Sequence, residues 1–134
     1  MLLFLFRLLS FLPLSVLQAL GRVGGRLVYG WPDKYRERLQ YNAQQAGYGD
    51  EAFAREAAAQ AGAMIMELPK VWLKNEESLG MVVSDDDHVV EAALAEGRGV
   101  LYLTPHLGCF EITARYLTRH GPITVMFRPP RKPV

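Results

Sequence analysis

The sequence predicts an α/β chain: a membrane-binding N-terminal helix, a run of helices, then the first βαβ unit of a parallel or mixed sheet, left incomplete. Three observations predict it. Residues 1–32 contain no acid and carry only Arg7, Arg22 and Arg26 as charges. The middle of the chain repeats apolar residues every three or four positions, and two short apolar runs near the end flank one helix-length segment. At 134 residues the chain fits one domain with a buried core. Fifteen basic against fourteen acidic side chains leave a net charge of +1, which argues against an acidic disordered tail and against a polycation held on nucleic acid by its phosphates. One cysteine and three histidines rule out an internal disulfide and a Cys/His zinc set, which excludes disulfide-stapled and zinc-ribbon folds. No metal or cofactor is expected.

Within residues 1–20, fifteen are apolar. Gln18-Ala19-Leu20-Gly21 is a poor cleavage site, which disfavours a signal peptide. The stretch from Leu8 to Leu20 would rise only about 20 Å as a helix against about 30 Å of hydrocarbon, so a span needs Arg7 to snorkel. On one helix Arg7, Ser10, Gln18, Arg22 and Gly25 fall near one stripe, which suits a helix lying in the interface with its arginines on anionic headgroups. Spanning and in-plane readings both stay open, with a buried core helix as the third choice. If the segment spans, the basic residues from Arg22 to Arg38 put the rest of the chain in the cytoplasm.

Trp31-Pro32-Asp33 marks a boundary. A polar helix is expected from Lys34 to Ala46, stopped by Gly47. Asp50 can cap the next helix, whose Phe53, Ala57, Ala61, Met64, Ile65 and Leu68 recur as a buried face and which Pro69 should kink or end. Residues 75–84 read as a connection. Asp85, Asp86 and Asp87 could gather a magnesium ion, but Ser84 as N-cap with acids at a positive helix end explains them better, the helix running to Gly97. Residues 100–104 read as a buried strand, 109–119 as a helix ended by Gly121-Pro122, and 123–127 as a second strand running into a proline-rich loop. Strand, helix, strand with short joints is a parallel βαβ unit. Because such a sheet needs more strands, the 134 residues read as the front of a longer α/β domain, or as one awaiting layers from a partner chain.

In open α/β sheets reactive residues sit beyond the carboxyl ends of strands, where Thr104 to Glu111 falls. On one continuous helix His106 and Glu111 would point about 140° apart. With His106 in the loop and Glu111 in the first helical turn, the carboxylate can fold back, fix the imidazole tautomer and leave the other nitrogen free to take a proton. A histidine bonded for structure plus an acid favouring a helix start accounts for the pair equally well. Cys109 reads as inert packing rather than a nucleophile.

These residues resemble the bacterial lipid A late acyltransferases, the lauroyl and myristoyl transferases, within the wider group of acyltransferases sharing a histidine, four residues and an acid (HX4E here). RLLSFLPLSVLQALGRVGGRLVY is similar to their N-terminal membrane segment, GRGVLYLTPHLGCFE to their strand and catalytic corner, and VMFRPPRKP to their next strand and arginine loop. Cys109 and Phe110 stand where the family usually has asparagine and tryptophan. The resemblance implies a glycerol-phosphate-acyltransferase-like sheet, with residues 1–30 as membrane anchor and 31–134 as the N-terminal part of the acyltransferase domain. It implies transfer of a fatty acyl chain from acyl carrier protein to a hydroxyl of a membrane glycolipid at the cytoplasmic face of the bacterial inner membrane. His106 would be the general base, Glu111 its orienting partner, and Arg128 a contact to acceptor phosphate or developing oxyanion charge. Residues 112–134 carry five basic side chains and no acid, in keeping with an anionic ligand. The alternative is a non-catalytic membrane-associated fragment that retains the motif.

Overall fold

The computed structural model describes residues 2–31 and 33–126. They form seven α-helices and a closing 3₁₀ turn: α1 (Leu2–Ser10), α2 (Leu14–Gly30), α3 (Asp33–Gln45), α4 (Glu51–Leu73), α5 (Asn75–Gly80), α6 (Asp87–Ala95), α7 (Phe110–Leu117) and the turn Thr118–His120. Among the described residues there is no strand, so the α/β expectation is overturned. A β-strand exists only through its ladder, and no backbone hydrogen bond pairs residues 100–104 with 123–126 among the described residues. Leu101 and Leu103 are instead 85% and 88% exposed. Position 127 lies outside the described residues.

The N-terminal segment is two helices, not one. Pro13 has no N–H to continue α1, and the chain restarts at Leu14. No helix among the described residues is long and apolar enough to cross a membrane, which overturns the spanning reading. The stripe expected on one continuous helix is lost with it: Ser10 and Gly25 are buried, while Arg7 is exposed.

α2 runs antiparallel to α4, as its partners show: Gln18 meets Glu67, Gly21 meets Ala63, Gly25 meets Ala58 and Ala59, and Arg26 meets Glu56. The helices touch backbone to backbone. A Cβ added at Gly25 would stand 2.8 Å from the Ala58 carbonyl carbon, and one at Gly62 2.8 Å from the Gly25 nitrogen. This explains why α4 buries Ala54, Ala58, Ala59, Ala63 and Val71 rather than the expected set, of which Phe53 and Ile65 are exposed. Only methyl-sized side chains fit opposite glycine. Phe53 stacks on Tyr48 instead, with ring centroids 4.3 Å apart.

Several boundaries match their chemistry. Gly47, at φ +87°, turns the chain after α3, and Tyr48 N–H closes on the Ala43 carbonyl at 2.8 Å. Asp50 Oδ1 accepts from Ala52 N–H at 2.9 Å and caps α4. Pro69, in contrast, neither ends nor breaks α4: it is fully buried and the helix continues to Leu73. Burial of the ring offsets the backbone hydrogen bond it removes. Residues 75–80, expected as a connection, form α5, tied to α4 where Lys70 Nζ meets Glu77 Oε1 at 2.7 Å. α6 begins at Asp87 without a side-chain cap, so Ser84 is not its N-cap. The Asp87 carboxylate is engaged elsewhere, accepting from Tyr116 Oη at 2.6 Å, and this bond joins α6 to α7.

Candidate active site

The corner between residue 104 and α7 is built by Gly108, whose φ of +57° reverses the chain just before the helix. His106 lies exposed in the loop ahead of that turn, and Glu111 sits half-buried in the first turn of α7, where the positive helix end favours a carboxylate. The His106 ring lies tilted against Phe110, centroids 4.2 Å apart, so the imidazole is held beside the residue that precedes Glu111. No hydrogen bond or ion pair joins His106 to Glu111 among the described residues. Arg128 lies outside the described residues. No group of three or more His, Cys, Asp or Glu side chains able to hold a metal ion occurs among them, Asp85 to Asp87 included.

Cys109 is half-buried at the N-cap position of α7. Burial pushes its thiol up to about 11, and the neighbouring Glu67 and Glu111 carboxylates push in the same direction. A thiol so held is protonated near neutrality and is a poor nucleophile. Glu67, on α4, also accepts from Gln18 Nε2 at 2.7 Å. Gln18, Glu67 and Cys109 thus link α2, α4 and the start of α7. Sequence reasoning missed Glu67, although a lone acid within Met64-Ile65-Met66-Glu67-Leu68 is the signal that could have found it.

α7 is braced on two further sides. Arg115 Nη1 donates to Asn75 Oδ1 of α5 at 2.9 Å, and Tyr116 holds Asp87 of α6. The Tyr116 hydroxyl holds the Asp87 carboxyl below the usual carboxylate range, with Ser84 and the His120 and Arg119 charges adding to it.

A family model of the bacterial lipid A biosynthesis acyltransferases matches residues 1–134. The chain belongs to this family. No curated protein and no solved structure matches it. A lipid A biosynthesis acyltransferase moves an acyl group onto a lipid A precursor. The corner ahead of α7 carries an exposed imidazole, a half-buried carboxylate and a thiol kept protonated.

Proposed function

We propose that the chain carries the base and its orienting acid for direct transfer of a fatty acyl group from an acyl carrier protein thioester to a hydroxyl of a lipid A precursor. His106 takes the hydroxyl proton as the oxygen attacks the thioester carbonyl. As the tetrahedral intermediate collapses, the carbon–sulfur bond breaks and the leaving thiolate takes the proton back from the imidazolium. Glu111 fixes the imidazole tautomer and stabilises its charged form. Catalytic hydrogen bonds often close only with substrate in place, so a His106–Glu111 bond belongs to the loaded state. Arg128 contacts acceptor phosphate or the developing oxyanion. Transfer is direct, without an acyl-cysteine. The observation that carries this reading is the juxtaposition of an exposed His106 ring on Phe110 with Glu111 one residue further along α7.

The reaction takes place at the cytoplasmic face of the inner membrane, with α1 and α2 lying on the lipid. Val16, Leu20, Val23 and Leu27 form an exposed stripe on the side of α2 away from α4, Arg26 pairs with Glu56 of α4, and this one-sided apolar face is the pattern of a helix lying in the interface. The test is acyl transfer from labelled carrier-protein thioester to lipid A precursor. His106→Ala and Glu111→Gln should be impaired and Cys109→Ser should be near normal. A Cys109→Ser that alone is dead would overturn the direct mechanism.

A further inference from the structure

The packing of α2 on α4 continues one turn past Gly21 and Ala63. There Gln18 Nε2, on α2, donates to Glu67 Oε1, on α4, at 2.7 Å, and both side chains are half-buried. Gln18 stands one turn before Gly21 and Glu67 one turn after Ala63, where a Cβ added at Gly21 would lie 2.6 Å from the Ala63 Cα, so neither backbone has room to slide. The Glu67 carboxylate also takes a second donor, the Cys109 thiol ahead of α7, which burial and the nearby carboxylates keep protonated. A charged acceptor strengthens what is otherwise a weak donor. The polar ties of α7 to α5 and α6 start from Arg115 and Tyr116, in its second half, whereas Glu67 serves its start. Directly after Cys109 comes the half-buried Phe110, against which the His106 ring rests with centroids 4.2 Å apart. Since no hydrogen bond joins His106 to Glu111 among the described residues, it is on Phe110 that the imidazole is seated.

We propose that Glu67 is a positioning residue for acyl transfer: bonded to Gln18 on the α2–α4 seam and to Cys109 ahead of α7, it fixes the start of that helix and thereby the Phe110 ring on which His106 rests. This rests on the reading of His106 as the base and adds what holds it in place. Glu67 acts through Cys109 and Phe110 rather than on the reacting atoms. It also gives Cys109 a use that needs a proton on sulfur, not a thiolate, because the side chain serves as a donor. A serine hydroxyl can make the same bond and an alanine methyl cannot. Glu67→Ala removes both bonds, whereas Cys109→Ala removes one and leaves Gln18 and Glu67 in place.

The test compares the full chain, its histidines isotopically labelled and the protein held in detergent micelles, in parent, Glu67→Ala, Cys109→Ala and Cys109→Ser forms, each checked by thermal melting. The nuclear magnetic resonance signal of the His106 ring is assigned by its loss in His106→Ala. In the parent the Phe110 ring current should displace that signal. In Glu67→Ala and Cys109→Ala it should move toward the position of a free histidine, and kcat for transfer from labelled carrier-protein thioester should fall about tenfold with KM nearly unchanged, because the base is misplaced and not removed. Cys109→Ser should keep the ring signal and the turnover of the parent. Should Glu67→Ala not fold, Cys109→Ala reads the same bond. A His106 signal unmoved in Cys109→Ala, or one that moves without loss of kcat, overturns the proposal, as does a Cys109→Ser as impaired as Cys109→Ala. If His106→Ala is itself fully active, the mechanism falls and the proposal with it. An inactive His106→Ala beside Glu67→Ala and Cys109→Ala forms that turn over like the parent overturns the proposal alone.

Discussion

The seam between α2 and α4 and the corner ahead of α7 are built on opposite rules. In the seam, Gly21, Gly25 and Gly62 have no side chain, and the helices approach until a single methyl group would collide. At the corner, His106 is exposed and α7 has no fully buried residue. The seam is therefore a place where adding one carbon should cost stability and nothing else. The corner is a place where removing a ring should cost chemistry and little stability. Between them, Glu67 belongs to both regions, bonded by Gln18 of α2 and set beside Cys109.

The largest expected change in stability tests the seam. Gly25→Ala should lower the free energy of unfolding by about 1–3 kcal/mol, read by urea denaturation, because neither backbone can yield easily. Gly24, one position away, meets nothing within 4 Å of an added Cβ, so Gly24→Ala should raise stability by about 0.4–1 kcal/mol through helix propensity and reduced chain entropy. If the two changes had the same sign, the helices would not be in backbone contact.

Where the two regions meet, Glu67→Gln should lower the thiol pKa of Cys109 from about 11 toward its ordinary value, though not fully, since burial is the larger cause. The check is the rate of alkylation against pH, which should rise at a lower pH than in the parent chain.

A smaller effect concerns the brace on α7. The Asp87 pKa is depressed in the fold, chiefly by the Tyr116 hydroxyl, so its contribution is fully present above the unfolded carboxylate pKa of about 4 and is lost as pH falls through the lower folded value. Asp87→Asn should destabilise modestly at pH 7, and the difference from the parent should vanish in acid melts. An equal difference at low and neutral pH would show that the carboxylate charge is not what Tyr116 holds.

Much of the helical framework is legible from single residues, because caps and stops act locally: Asp50 binds the amide two positions on, and Gly47, Gly97 and Gly121 adopt positive φ values at helix ends. What depends on a partner is not legible in the same way. Periodicity and size point to Phe53 and Ile65 on the burying face of α4, yet the glycines of α2 admit only alanines opposite them. The apolar runs at 100–104 and 123–126 have strand composition, but their state is decided by what pairs with them. Pro69 carried a local stop signal that tertiary burial overrode. At the corner, the expected placement of His106 in the loop and Glu111 in the first turn of α7 follows from a local loop-to-helix turn, and Gly108 supplies that turn. Glu67 lies 42 positions before Cys109 in chain order and could be sought only as an acid in an apolar helix.

The division of labour between seam and corner is tested most directly by His106→Ala, with acyl transfer and urea midpoint measured on the same preparation. Turnover should fall by about 10² to 10⁴ while the midpoint stays close to that of the parent, since the proposed mechanism uses the ring in the transition state and an exposed ring adds little to folding. A fully active His106→Ala with an unchanged midpoint would contradict the assignment of chemistry to this corner.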